Sequence, residues 1–439
     1  MKKFIWILLA VCLILGCIVG YAASQKAAKG GEPVSLYDPE IGKEAQAAAV
    51  AAQNAPDALE APDVQISEEL EIEQDAHEAD VESDAENYVP VPGLDYEKIR
   101  ALHAPEDVVA SVSGRDVTWD EYFYWLYDVG TQAENYIQML SLYSQRLDWS
   151  DKLSADSEQT LAEYVVELTH DNICQLAVIE AVAEENGVTL TPEDEAELAA
   201  QLQQTIADTC GEGATEADFN AFLEENNISR AMYDRINRAN YLYRDTYTAL
   251  YGELGEKVTE EQALAYLEDN GYLGAAHILF MTIDPDTYEP LDDDTIAQKR
   301  AQAEAVSAEL RAVGDDKARA ERFAELKEQY CEDPGKVDFP DGYLFTPGAM
   351  VEEFEDGVKA LAEYEVSEPV LSSFGYHVIM RLPLDADMTI QYSDEDTPLN
   401  ARSICADSDF TAMLNDRIVQ SSVALRGAAI KLTEYLKTE

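Results

Sequence analysis

Apolar and polar positions follow different rules in successive parts of this chain. Residues 4–23, Phe4 to Ala23, are an unbroken apolar run behind Met1-Lys2-Lys3. Residues 24–95 are rich in Ala, Glu and Asp and nearly free of aromatic side chains. Such a stretch cannot bury enough apolar surface to offset the entropy of ordering, so it reads as an extended, self-repelling acidic linker. Val108 to Val117 alternates with period two and predicts a hairpin turning at Ser113-Gly114. Thr118-Trp119-Asp120-Glu121 follows as a capping box, opening an aromatic-rich helix. From there to about Gly271 the spacing is helical. Leu161, Val165, Leu168, Ile173, Leu176, Ile179 and Val182 share one face, ending near Gly187. Thr191 before Pro192, Ser229, and Thr259 before Gln262 mark further helix starts.

Between Ala275 and Leu384 strands and helices mix. Ala275 to Met281 is apolar and short, a buried strand carrying His277. Thr295 caps a helix reaching about Val313, and Ala318 to Tyr330 forms another. Leu344-Phe345 is a short strand. Val351 to Leu361 is a helix with Phe354, Val358 and Leu361 on one face. Pro369 to Ser372 and His377 to Leu382 supply the last strands. After Leu384 the chain is polar until Asp407. Phe410, Met413, Leu414, Ile418, Leu425, Ile430, Leu432 and Leu436 then predict one long C-terminal helix.

The apolar run at the start is about long enough to span a bilayer, with the two lysines on the cytoplasmic side. Three fates stay open. The run is an uncleaved anchor, or it is cleaved after Ala22, where Gly20 and Ala22 are small. Alternatively Ile14-Leu15-Gly16-Cys17, which resembles a lipobox, is acylated at Cys17, although apolar Ile18-Val19 stand where a lipoprotein carries a polar tether. Each fate puts the rest of the chain at the extracytoplasmic face of the cell membrane, as a single-pass anchored protein, a released one or a lipoprotein.

With 439 residues the chain has room for two or three domains. Its 88 acidic and 30 basic side chains give a net charge of −58, which repels nucleic acid and anionic lipid and favours cationic clients. The six cysteines form no CxxC pair, so a zinc site is not indicated; Cys174, Cys210, Cys331 and Cys405 read as free thiols. His170 reads as a structural helix residue, and His77 and His103 have no partners that suggest a site.

Ala275-Ala276-His277-Ile278-Leu279-Phe280 at one end, and Phe374-Gly375-Tyr376-His377-Val378-Ile379-Met380 at the other, resemble the parvulin family of peptidyl-prolyl isomerases. So do Tyr330-Cys331-Glu332-Asp333-Pro334-Gly335 and Gly342-Tyr343-Leu344-Phe345-Thr346-Pro347-Gly348-Ala349-Met350-Val351-Glu352-Glu353-Phe354 between them. The hairpin and capped helix at Val108 resemble the opening of the N-terminal domain in bacterial export foldases and periplasmic chaperones. The resemblance implies an α+β fold, in which a parvulin domain (a small antiparallel sheet covered by helices, residues 272–385) is inserted in an all-α chaperone domain. That domain is residues 96–271, with residues 386–439 returning as a C-terminal helix that packs on it.

The same resemblance assigns roles. His277 and His377 match the central histidine pair, Asp333 the acidic or thiol position beside the isomerising amide, and Ser372 a hydroxyl bonded into the pair. Phe345, Met350 and Phe354 match the proline pocket, Met350 and Phe354 standing one helical turn apart. Taken singly these are ordinary core residues, and in this family the histidines can be mainly architectural; it is their joint spacing that carries the reading. No cofactor or metal is implied. A Cys-His nucleophile at Cys331 is unsupported, since the family position usually holds serine.

Two departures change the picture. Asp284-Pro285-Asp286 and Asp292-Asp293-Asp294 stand where phospho-specific members carry basic residues, so phosphoserine-proline substrates would be repelled. Pro285 and the lack of a loop glycine spoil an EF-hand pattern there. Phe339-Pro340-Asp341-Gly342 replaces the usual Gly-Gly-Asp-Leu and alters one wall of the pocket. The expected function is an extracytoplasmic foldase, held at the membrane by its N-terminal segment, that isomerises X-Pro bonds in unfolded secreted proteins. A holdase using a catalytically weak parvulin module for binding is the alternative, and a cell-envelope scaffold a more distant one.

Overall fold

The computed structural model describes residues 91–142, 146–153, 157–285, 287–393 and 397–437. The apolar run, the acidic linker up to residue 90, Cys12, Cys17, His77 and Asp286 lie outside them. The described residues form two compact units, one from 91–182, 190–241 and 414–437, the other from 183–189 and 242–413. Among them no helix is long and apolar enough to cross a membrane.

The first unit opens with α1 (Tyr96–Arg100) and the expected hairpin, β1 (Val108–Val112) and β2 (Arg115–Thr118). Ser113 and Gly114 both take positive φ, 50° and 88°, the turn whose twist suits a two-residue hairpin. The helix α2 (Trp119–Leu142) buries Tyr122, Phe123, Trp125 and Leu126. Only half of its capping box forms. The Glu121 N–H donates to Thr118 Oγ1 at 3.4 Å, but the Glu121 carboxylate does not reach back. It accepts from Arg115 at 2.8 and 3.0 Å and from Arg235 at 2.8 Å, because a carboxylate only 2 % exposed needs full charge compensation.

The remaining helices follow the sequence closely. α3 (Leu161–Glu185) stops at Gly187, whose φ of 69° suits glycine. α4 (Pro192–Cys210) carries a full capping box between Thr191 and Asp194. α5 (Glu216–Glu225) and α6 (Arg230–Tyr251) follow, α6 started by Ser229, whose Oγ accepts from the Met232 N–H at 3.0 Å. His170 receives the Tyr122 hydroxyl at 3.0 Å, and His103 stands edge-on to Trp119.

The second unit holds α7 (Glu260–Asp269) and a four-stranded antiparallel sheet ordered β4 (Tyr343–Phe345), β3 (Leu273–Met281), β6 (Gly375–Leu382), β5 (Val370–Leu371). The central strand β3 is buried on both faces. One face packs Ala276, Ile278 and Phe280 against Ala303, Val306, Leu310, Phe323 and Leu326 of α8 (Asp293–Arg311) and α9 (Asp316–Tyr330). The other packs Ala275 and Ile379 against Phe354 and Val358 of α10 (Glu352–Lys359).

Three further expectations change. The cap of α8 is Asp292 rather than Thr295; its carboxylate accepts the Thr295 N–H at 3.0 Å, so part of the acidic loop serves as a helix start. The segment after Leu384 is not merely polar. Ala386, Met388, Ala401, Cys405 and Ala406 are buried with Leu344, Ala263 and Leu267, and two strands, β7 (Thr389–Tyr392) and β8 (Pro398–Asn400), pair antiparallel. Small Ala and Cys side chains bury well but leave no strong apolar period in a sequence.

Finally, the long helix expected through Leu436 ends early, as α11 (Ala401–Gln420). Phe410 packs among Tyr243, Tyr247 and Tyr251 of α6. Beyond it Val423–Leu425 is strand β9, paired to β1 with Ser111 against Ala424, and Leu432–Tyr435 is a 3-10 turn. The unpaired edge of β1 takes a third strand in place of helical hydrogen bonds.

Candidate active site

Strand register brings the two histidines together. In the β3–β6 ladder His277 lies opposite Ile379 and Leu279 opposite His377. His277 and His377 are therefore diagonal neighbours on one sheet face, within side-chain reach. Their rings are nearly parallel, 13° apart, and the two Nδ1 atoms lie 2.9 Å from each other. Both are buried, 6 % and 4 % exposed.

A hydrogen-bonded chain extends in both directions. His277 Nε2 is 2.8 Å from Asp333 Oδ2, and the Tyr343 hydroxyl donates to the same oxygen at 2.5 Å. The other oxygen, Asp333 Oδ1, accepts the Gly335 N–H at 3.1 Å. At the far end Ser372 Oγ is 2.7 Å from His377 Nε2 and accepts the Phe374 N–H at 3.1 Å. An ionised Asp333 can only accept, so His277 Nε2 carries a proton. With His277 Nδ1 as the acceptor, His377 Nδ1–H donates to it and Ser372 O–H donates to His377 Nε2. Every polar atom in the chain is then satisfied in one direction.

Burial alone would raise the Asp333 carboxyl, but the hydrogen bonds from His277, Tyr343 and Gly335 outweigh it and bring its pKa down to about 2. Burial, reinforced by His277 alongside, lowers His377 to about 3, so it stays neutral at physiological pH. Burial and the carboxylate it serves push the Tyr343 hydroxyl well above its ordinary range, so it remains a donor.

The local backbone explains why each group arrives in place. Ser372 to Gly375 is a tight turn joining β5 to β6, closed by the Ser372 N–H to Gly375 O at 3.0 Å. Gly375 has φ 147°, and a Cβ there would lie 2.2 Å from the Phe280 carbonyl, so only glycine fits. Asp333 caps a short 3-10 turn, Pro334–Lys336. Cys331, whose thiol burial raises, sits behind β3, its Sγ accepting the Leu279 N–H at 3.5 Å and facing the His277 carbonyl at 3.6 Å. That is a packing role.

The apolar wall is Phe354, Phe345 and Met350. Phe354 is 4 % exposed and presents its ring at steep angles to both imidazoles, centroids 5.2 and 5.3 Å away. Phe345 lies 6.0 Å from it, and Met350 is half-buried in the same cluster. Met350 and Phe354 are not one helical turn apart. The turn through Pro347 and Gly348, with φ 89° at Gly348, keeps Met350 ahead of the helix, which starts at Glu352.

Tyr343 was not singled out from the sequence. Period two supplies the signal: two residues before Phe345 on β4, it faces the same side of the sheet, and its partner on β3 is Ala275.

Residues 277–382 match the rotamase family described as the PPIC-type PPIASE domain. The fold is that of a peptidyl-prolyl cis-trans isomerase of this type. The chain is 33 % identical over 198 residues to foldase protein PrsA 4 of Bacillus cereus, covering 40 % of this chain and 68 % of that one. It is 46 % identical over 79 residues to chaperone SurA of Chromohalobacter salexigens, 18 % of each chain. A crystal structure of peptidylprolyl isomerase (PrsA) from Bacillus cereus aligns with 22 % identity and a TM-score of 0.20, covering 62 % of this chain and 86 % of that one. The chain belongs to the PrsA foldase family and is a peptidyl-prolyl isomerase and foldase.

Proposed function

We propose that His277, Asp333, His377 and Ser372, with Tyr343, form the catalytic centre, and that Phe345, Met350 and Phe354 grip the proline ring. The carrying observation is the unbroken hydrogen-bonded chain from Ser372 to Tyr343 laid against an apolar wall. Rotation about an X-Pro bond must break amide resonance, against a barrier of roughly 20 kcal/mol. Resonance places negative charge on the amide oxygen. A fixed carboxylate facing that oxygen disfavours the planar state and is better tolerated by the twisted one, in which the charge has receded. Asp333 suits this role because its donors keep it ionised while 17 % of its side chain stays exposed. The histidines hold the carboxylate and do not exchange protons with substrate.

The wider role is that of an extracytoplasmic foldase held at the membrane by residues 1–23 through an acidic linker over residues 24–95. Residues 96–271 with 386–439 are the chaperone domain and residues 272–385 the isomerase domain, acting on unfolded secreted chains that contain X-Pro bonds. Protease added to intact protoplasts should remove the folded part; full protection would overturn this location. The activity test is isomerisation of an Ala-Pro tetrapeptide, in which wild type is expected well above the uncatalysed rate and Asp333→Asn well below wild type.

A holdase role has separate support. The first unit contains a cavity of about 490 Å³ whose apolar lining includes Leu198, Leu202, Leu223, Ile228, Tyr233 and Ile236. Suppression of client aggregation undiminished in an Asp333→Asn protein would favour holding as the main activity.

A further inference from the structure

Next to the site stands an aromatic wall. Phe339 occupies the loop before β4, and Tyr392 lies on β7, beyond the residues 277–382 that match the family. The Phe339 ring lies 5.2 Å from the ring of Tyr343, the residue that donates to Asp333. Tyr392 meets Phe339 edge-on, centroids 5.9 Å apart, and its hydroxyl donates to the Asp338 carbonyl at 2.8 Å. The three rings therefore run from Asp333 out to the surface, where Tyr392 is 41 % exposed and Val337 77 % exposed.

This wall is held in place before any client arrives. Lys327, nearly buried beneath it, donates to the carbonyls of Phe339 and Pro340 at 3.3 and 2.8 Å. Gly342 N–H also donates to Phe339 O, at 3.2 Å, and Phe339 N–H to Gly335 O, at 2.9 Å. The surrounding charge is uneven. Asp338 and Asp341 are exposed on the same loop. The nearby cations are both committed to main-chain carbonyls, Lys327 as above and Lys336 to Cys331 O at 2.6 Å.

We propose that Phe339 and Tyr392 form an accessory subsite for an arginine of the client chain close to the proline being isomerised. A guanidinium lies well on an aromatic face, and exposed carboxylates on the same loop add to its attraction in a chain of net charge −58. An aromatic client residue would gain nothing from Asp338 and Asp341, and an acidic one would be repelled. The proposal rests on the isomerase site described above and adds a sequence preference to it.

The test uses the full chain and a set of proline peptides with arginine, alanine, phenylalanine or glutamate at each position within two residues of the proline. Activity on the all-alanine peptide tests the isomerase site alone; the ratio of arginine to alanine peptide tests the subsite. Wild type is expected to favour arginine in kcat/KM about two- to fivefold at one position, through KM, with the preference shrinking as salt is raised. Tyr392→Ala and Phe339→Ala bring the ratio to one, while Tyr392→Phe, which keeps the ring, retains it. Thermal melts establish that the variants are folded. A wild-type ratio of one at every position, an equal preference for phenylalanine, or a ratio unchanged in a folded Tyr392→Ala protein overturns the subsite. Absence of turnover on every peptide overturns both readings together.

Discussion

His277 and His377 are one hundred residues apart in the chain and share a hydrogen bond through their Nδ1 atoms, 2.9 Å apart. The β3–β6 ladder makes this contact, and it has consequences for acid sensitivity. His377 titrates at about 3 in the folded chain against an ordinary 6.5, so the unfolded state binds a proton that the folded state refuses. Stability is therefore lost as pH falls from about 6.5 toward 3. Asp333, lowered from 3.8 to about 2, adds a further loss between those values. The net negative charge acts oppositely, because acid relieves self-repulsion. Urea melts of wild type and His377→Asn from pH 7.5 to 4.5 separate the two, since the repulsion is common to both proteins. The stability difference in favour of wild type should shrink as pH falls; a difference that grows would contradict the buried neutral histidine.

Tyr343→Phe removes one donor from Asp333 and leaves the tilted ring contact with Phe339 intact. A hydrogen bond to a charged group contributes about 1.5–3 kcal/mol, so kcat/KM should fall by roughly ten- to a hundredfold if Tyr343 orients the carboxylate. The Asp333 pKa should also rise, moving the acid limb of the pH–rate profile upward. A purely structural tyrosine would lower Tm and leave that limb where it was.

Met350 is a better probe of the proline grip than Phe354. Phe354 packs on both imidazoles, and truncating a ring so deeply buried costs about 3–5 kcal/mol of stability by itself. Met350 is half-buried ahead of α10, and Met350→Ala should keep the fold while lowering kcat/KM on an Ala-Pro peptide about tenfold. Circular dichroism and the peptide assay on one preparation decide it. A folded variant at wild-type speed would place the pocket elsewhere.

The third strand of the small sheet supplies a test of the C-terminal segment. Truncation after Gln420 removes β9 and exposes the edge of β1. It also removes Leu432, which is 1 % exposed. Loss of one such buried leucine alone costs about 2–5 kcal/mol, so Tm should fall by several degrees or more. An unchanged Tm would mean that residues 421–439 contribute nothing to the first unit.

Much of this protein was written locally. The hairpin turn at Ser113-Gly114, the caps at Thr191, Ser229 and Thr259, and the burial of β3 each follow from neighbours within a few residues, and they appear where the sequence put them. The resemblance of the surrounding motifs to parvulins singled out His277, Asp333, Ser372 and His377, and these meet in one chain of hydrogen bonds. The tertiary structure decided what depends on partners far along the chain. Glu121 abandons half a capping box for Arg115 and Arg235, because a buried charge gains more from two guanidiniums than from one amide. Residues beyond Gln420 leave helical geometry for the open edge of β1, a hydrogen-bonding partner that a periodicity plot cannot contain. Period two puts Tyr343 on the Phe345 face, but that it reaches Asp333, and that Tyr392 reaches Phe339, depends on strand register and side-chain packing with distant residues.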